Sequence, residues 1–546
     1  MSVLLRICSV LLLVISLTAC PKKESQYQFE QPIPTLAPLP QDSFIEAYFN
    51  QSQASTYTEP YRHQPRLGDN LEQIIVETIA GAKSTADVAV QEFQLPDVAL
   101  ALAERHQAGV RVRVIIENQY NRPLSSLTEA EVAQLLDRDR HRYEEFFQLA
   151  DINADGQLSQ AEINQRDALV ILANAGVPLL DDTADGSKGT GLMHHKFVVV
   201  DGQTTIVTSA NFTTSGTHGD FSEATSRGNA NNLLKIDSTE LANLFTEEFN
   251  LMWGDGPGGK LDSKFGVQKP LRPLQQVKIG EGKVGVRFAP SSQRFSWSNS
   301  VNASIYETLN KARKTIDFAL FVFSEQVLVD SLEARQEAGV EIRGLIDSNF
   351  VHRHYSGALD MMGVALANNC KYQPGNRPWK NPIFTVGKAA LPPGDRLHHK
   401  FAVIDGTIAI AGSHNWSDNA NFTNDETLLI VENPTVAAHF QREFDRLYQN
   451  AAFGVPQAVI QKVKEQEENC VAIESRPGIF RTPGEKVNLN LASQEELETL
   501  PGIGPKLAEE IIKARAEKPF TSLADLDDVP GIGPKKLEQL SNLVTW

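Results

Sequence analysis

The chain has 546 residues, too many for one hydrophobic core, so two to four domains are expected. Its composition, 41% hydrophobic and 22% charged, excludes a disordered or low-complexity chain. A net charge of −17 excludes a surface that binds polyanions everywhere, so any phosphate has to meet a local cation or backbone amides.

Residues 1–20, MSVLLRICSVLLLVISLTAC, place one early Arg6 before an apolar run from Ile7 to Leu17. The run is short for a bilayer span and has the layout of an export signal. Leu17-Thr18-Ala19-Cys20 resembles the lipobox of bacterial lipoproteins. That resemblance implies a signal peptide over 1–19, lipidation of Cys20 and a place in the cell envelope; Pro21 rather than Asp after the cysteine implies the outer membrane. A secretory signal with an incidental cysteine is the alternative. Residues 20–60 are polar and Pro-rich without a helical or strand period, and read as a tether. Cys370 and Cys470 are either one disulfide or two unrelated thiols, and spacing does not choose between them.

Two similar halves follow, expected at 61–256 and 281–452 with a linker at 257–280. LALAERHQAGVRVRVIIENQY at 100–120 matches DSLEARQEAGVEIRGLIDSNF at 330–350. Each is a helix ending before Gly109 or Gly339, followed by an alternating strand. With a further helix and strand upstream, each half is a repeated α/β unit. From Gly109 to the next His-His-Lys is 85 residues, but from Gly339 it is 59. The excess holds DINADGQLSQAE at 151–162. Its oxygen donors and central glycine match a twelve-residue EF-hand loop, with Asp151, Asn153, Asp155, Gln157 (through its carbonyl) and Glu162 as candidate Ca2+ ligands and Gly156 at the turn. A helical, structural calcium insertion over 138–170 is therefore expected; a chance acidic loop is the alternative.

Both halves then carry one pattern. The first copy is His194-x-Lys196, Asp201, Ser209-x-Asn211; the second is His398-x-Lys400, Asp405, Ser413-x-Asn415. The two sets of gaps are identical. This resembles the phospholipase D superfamily and its HxKxxxxD motif, over roughly 65–450. The resemblance implies two α/β sandwich halves about a pseudo-twofold axis with both motifs in one cleft, and metal-free phosphodiester hydrolysis. A histidine nucleophile on one side of phosphorus and an acid on the other require two copies. The family pattern implies His194 as the nucleophile, through a covalent phosphohistidine, and His398 as the acid, although the symmetry permits the reverse. Lysines with Ser and Asn groups are expected on the phosphate oxygens, and the aspartates to orient the site. Glu426 in NDETLLIV matches the family carboxylate that orients the motif histidine. In the first half Asn231 stands at that position, with Glu223 as a possible substitute, and Thr208 replaces the family's glycine. Both motifs lie in one chain, so no obligate homodimer is needed.

After a linker at 453–485, residues 486–546 contain Pro-Gly-Ile-Gly-Pro-Lys twice, at 501–506 and 530–535. This resembles the tandem helix-hairpin-helix module, most closely that of bacterial competence DNA receptors. By that likeness Gly502, Gly504, Lys506, Gly531, Gly533 and Lys535 would meet DNA phosphates without reading bases. Six Lys or Arg against ten Asp or Glu over 487–546 keep a protein-interaction module as the alternative. A catalytic phosphodiesterase joined to a DNA-binding module in an exported chain points to a sequence-nonspecific nuclease. A phospholipase D or phosphatidyl transferase is the alternative, and a decayed DNA receptor is disfavoured by two intact motifs.

Overall fold

The computed structural model describes residues 34–187, 191–373, 375–470 and 486–546, the last stretch with interruptions at 493, 495–496, 498–499, 501–502, 534–535, 538–539 and 542. Cys20 and the expected signal lie outside the described residues, as do Gly502 and Lys535.

Each half is built on one sheet. The first has strands β1 (Ile45–Phe49), β4 (Thr85–Val90), β5 (Arg111–Ile116), β6 (Leu179–Asp181), β7 (Lys196–Val200), β8 (Thr204–Thr208) and β9 (Asn232–Asp237), in the order β1-β9-β8-β7-β4-β5-β6. A small hairpin of β2 (Thr56–Thr58) and β3 (Pro65–Leu67) stands apart. The second sheet has β10 (Gln275–Ile279), β11 (Gly282–Phe288), β12 (Thr315–Leu320), β13 (Glu341–Ile346), β14 (Val386–Lys388), β15 (Lys400–Ile404), β16 (Ile408–Gly412), β17 (Thr427–Glu432) and β18 (Ala452–Phe453). Its order is β10-β11-β17-β16-β15-β12-β13-β14-β18.

The repeat seen in sequence is a repeat in register. Thr85 pairs with Arg111 in parallel and Val90 with Lys196 antiparallel, as Thr315 pairs with Glu341 and Leu320 with Lys400. The motif strands KFVVV and KFAVI are buried at every position, which is why they read as continuous apolar runs rather than alternating ones. Helices Thr239–Trp253 and Pro434–Tyr448 bring Phe245, Phe249, Phe440 and Phe444 into one apolar core with residues of both sheets, among them Phe197, Val286 and Phe401. The two halves therefore share a core, and each has a further core on its outer face.

Several boundaries differ from those expected. The tether ends earlier than residue 60: Ile45–Phe49 alternates in burial and pairs with β9, so it belongs to the first sheet. The 257–280 linker is in part structural, because β10 lies within it and Lys269 is buried in an ion cluster with Glu248 and Asp425. The helix Ala168–Ala175 packs on Pro96–Gln107 as part of the sandwich, so the insertion ends near Arg166. Beyond residue 453, helix Gln457–Asn469 is joined to the second half by the Cys370–Cys470 disulfide and by Gln466, which donates to Ala367 O at 2.7 Å.

Candidate active site

The motif histidines sit just before β7 and β15, where each half reaches across to the other. His194 N–H donates to Asp425 O at 2.9 Å, and His398 N–H donates to Ala230 O at 3.1 Å. Each histidine is thus held by the backbone that leads into the other half's last motif strand. The side chains repeat the crossing. His194 Nδ1 meets Glu426 Oε2 at 2.7 Å, and His398 Nδ1 meets Asn231 Oδ1 at 3.0 Å. Asn231 Nδ2 is committed to Gly216 O and Asn229 O, so its oxygen faces the histidine. Both partners accept, so both imidazoles donate from Nδ1 and keep a lone pair on Nε2.

Burial, then the charges of Lys196 and Lys400, hold His194 well below the ordinary histidine value; burial, then Lys400 and Lys196, do the same to His398. Each lysine therefore acts on the histidine of the other half, as it would in a single cleft. Lys196 donates to His194 O at 2.9 Å and to Gln91 Oε1 at 3.2 Å, and burial lowers it to about 7. Lys400 donates to His398 O at 2.7 Å and lies over the Phe321 ring, 4.9 Å from its centroid. Burial raises Glu426, whose Oε2 also accepts from Ser413 Oγ at 2.6 Å and whose Oε1 accepts from Asn424 at 3.2 Å.

Comparison with known proteins fits this arrangement. A family model described as "Cardiolipin synthase, PLD-like domain" matches residues 75–253 and 305–448. The chain belongs to this phospholipase D-like family. A helix-hairpin-helix motif model matches 482–545. Among curated relatives, the mitochondrial cardiolipin hydrolase of Xenopus tropicalis is 29% identical over 143 residues, 26% of this chain and 58% of that protein. That of Xenopus laevis is 27% identical over 187 residues, 33% of this chain and 79% of its own length. The chain thus spans less than two thirds of the first relative. The phosphatidylserine synthase of Haemophilus influenzae is a solved structure 14% identical, covering 79% of this chain and 94% of that one, with a TM-score of 0.46.

Within this phospholipase D-like site the remaining motif residues divide by position. Ser209 and Ser413 were expected on the phosphate, but they serve the orienting groups instead: Ser209 Oγ donates to Asn231 Oδ1 at 2.7 Å, as Ser413 does to Glu426. Asn211 and Asn415 are half-buried, and the Oδ1 of each is buried without a partner. Asp201 and Asp405 do not reach the cleft. They lie at the far ends of β7 and β15, five residues beyond the lysines, roughly 16 Å along an extended strand. Asp201 accepts from the amides of Lys83, Ser84 and Thr85, and Asp405 from those of Arg313, Lys314 and Thr315. Partial burial raises Asp201, but these donors outweigh it and hold the carboxyl at about 2. Both aspartates also adopt positive φ, 54° and 51°, ahead of Gly202 and Gly406 in tight hairpins. Their role is to fix the strand end. Glu223 turns back on Thr225 and is no substitute for Asn231.

Sequence reasoning passed over the second histidine of each HHK. His195 Nε2 lies 3.0 Å from Glu248 and His399 Nε2 3.0 Å from Glu443, which locks each motif strand to the shared helices. It also passed over Glu117 and Asp347, which accept the Met193 and Leu397 amides at 2.6 and 2.9 Å. Burial, then Asp182, raises Glu117 to about 8. The repeated EN/DS after the matched strands was the available signal. In the C-terminal domain Ile503 and Ile532 are buried, while a side chain at Gly504 or Gly533 would meet open space. Lys506 is exposed at the start of helix Pro505–Glu517, and Gly531 has a φ of +95°.

Proposed function

We propose that this chain is a phosphodiesterase, and that its substrate is nucleic acid cleaved without sequence preference. The observation that carries the chemistry is the pair of motif histidines, each oriented through Nδ1 by the opposite half. His398 takes up a proton on Nε2 as the anionic phosphate enters beside it; His194 Nε2 then attacks phosphorus, the P–O bond to the leaving group breaks, and His398 gives that oxygen its proton. Water then attacks the phosphohistidine, His398 takes the water's proton, and the P–N bond breaks. Lys196, Lys400, Asn211 and Asn415 surround the non-bridging oxygens. The unequal partners support this order of roles. A phosphorylated imidazole is cationic, and Glu426 opposite Nδ1–H of His194 stabilises that charge. The neutral carboxamide of Asn231 supports a charged His398 less, which makes it the better acid.

Nucleic acid is favoured because the helix-hairpin-helix match has a use only on such a substrate, with the open Gly504 and Gly533 turns meeting phosphates. A membrane phosphodiester is the second reading, favoured by relatives named as cardiolipin hydrolases. Lipidation at Cys20 places the protein in the envelope under either reading. The 151–162 loop is the proposed calcium site. Its donors are all oxygen, Gly156 has the φ of +81° that the turn needs, and Asp151 already receives the Asp155 and Gly156 amides. Glu162 already reaches the loop, accepting from the Ile152 and Asn153 amides through Oε1 and from Ser159 through Oε2, and would complete the donor set. Such an ion would brace the loop and take no part in the phosphoryl chemistry.

The test is to incubate protein lacking residues 1–20 with DNA, RNA and cardiolipin vesicles. Cleavage of DNA that His194→Ala and His398→Ala each abolish, with label trapped on His194 in His398→Asn, is the expected result. Lipid hydrolysis with intact DNA would replace the nuclease reading, and label on His398 would reverse the roles.

A further inference from the structure

The two sides of the cleft are not alike, and the difference is aromatic. Gln91 and Phe321 hold matching places: Gln91 N–H donates to His195 O at 3.1 Å, and Phe321 N–H to His399 O at 2.8 Å. Tyr120 and Phe350 also match, each four residues beyond the end of β5 or β13. On the first side Tyr120 is buried. Arg138 donates to its hydroxyl at 2.8 Å, and the Arg142 guanidinium lies 4.8 Å from its ring centroid while paired with Glu92. Both arginines come from helix Asp137–Ala150, part of the insertion that the second half lacks. On the second side Phe350 is only half-buried and meets Phe321 edge-to-face, with centroids 4.8 Å apart. Phe321 is half-buried too, and its centroid is 4.9 Å from that of His398. Two part-exposed rings thus step away from one motif histidine, while the matching step beside the other is closed by arginine side chains.

Resting on the nuclease reading, we propose that Phe321 and Phe350 form a base-stacking subsite on the His398 side of the scissile phosphate. Helix Asp137–Ala150 closes the corresponding place on the His194 side. Every base has a π-face, so stacking strengthens binding without selecting sequence, as a nonspecific nuclease requires. Exposed Arg396 precedes His398 on the open side.

The experiment uses thymidylyl-thymidine, which has one diester, and two analogues that each lack one base. Wild-type kcat/KM should fall about tenfold or more when one of the two bases is removed and much less for the other. In Phe350→Leu, which keeps the apolar volume, the two analogues should converge; in Phe350→Tyr the difference should return. Equal sensitivity to both bases in the wild type would overturn the subsite, as would an undiminished difference in Phe350→Leu at unchanged melting temperature. Cleavage of long DNA with none of the dinucleotide would also overturn it, because the subsite adjoins the phosphate. Absence of cleavage of any nucleic acid would remove the nuclease reading itself.

Discussion

Lys196 is the residue on which the pH response turns. A lysine is useful to a phosphate only while charged, and burial has lowered this one from 10.5 to about 7. Deprotonation above that value removes the cation from the free enzyme, so kcat/KM on a small diester should decline as pH rises through about 7. Lys196→Arg should carry the charge to higher pH and move that limb upward, whatever its cost in rate; an unmoved limb would assign the decline to another group. The acidic side follows from the histidines. Both lie below their ordinary value, so His194 stays a free nucleophile at pH values where an exposed imidazole would be protonated. The same scale explains why Asp201 misleads a reader of the motif. Its spacing from His194 is constant because a five-residue strand separates the cleft from the hairpin, while its carboxylate serves the amides of residues 83–85.

Among the elements, the helix Asp137–Ala150 connects the 151–162 loop, the proposed calcium site, to the cleft. Its far end runs into the loop at Asp151, Glu145 accepts from the Ser222 amide at 3.0 Å, and Arg142 pairs with Glu92 beside the motif strands. Calcium should bind once per chain and raise the melting temperature, by about 2.7 kcal/mol of stability at a hundred times its dissociation constant. Glu162→Gln should weaken that stabilisation. Chelator should leave hydrolysis of a small diester largely intact at low temperature. No calorimetric binding at millimolar calcium would remove the proposal. The extra length of the first half over its repeat, with the DINADGQLSQAE run inside it, pointed to this insertion. Its end near Arg166 was hidden because the next helix, Ala168–Ala175, is equally apolar in sequence and belongs to the sandwich.

For the whole molecule the question is whether the C-terminal domain brings substrate to the cleft. Deleting 486–546 should raise KM on long DNA severalfold and leave bis-p-nitrophenyl phosphate untouched, since the small diester needs only the two motif strands. The deficit should shrink at high salt, where phosphate contacts weaken in the full chain as well. Gly504→Glu with Gly533→Glu should reproduce the deletion without disturbing the fold, because both positions have open space for a side chain. Gly531 would not serve, since its φ of +95° strains any other residue. A truncated enzyme as active on long DNA as the full chain would favour the lipid reading.

The paired HxK spacings, the matched helix-strand units and the doubled Pro-Gly-Ile-Gly-Pro-Lys were legible in the chain because local geometry repeats whenever local sequence does. From them came the α/β halves, the two histidines and lysines, and the helix-hairpin-helix tail. What lay beyond reach was anything set across the pseudo-twofold. Glu426 orients His194 rather than its own half's histidine, and Asn231 does the same for His398. Partners 232 and 167 residues apart leave no local trace of their pairing. The burial of Lys269 between Glu248 and Asp425, in the expected linker, is of the same kind, and the Cys370–Cys470 pairing that spacing left open was decided by packing within the second half. Sequence carries the periodicity of each element. Only packing decides which half completes the other's site.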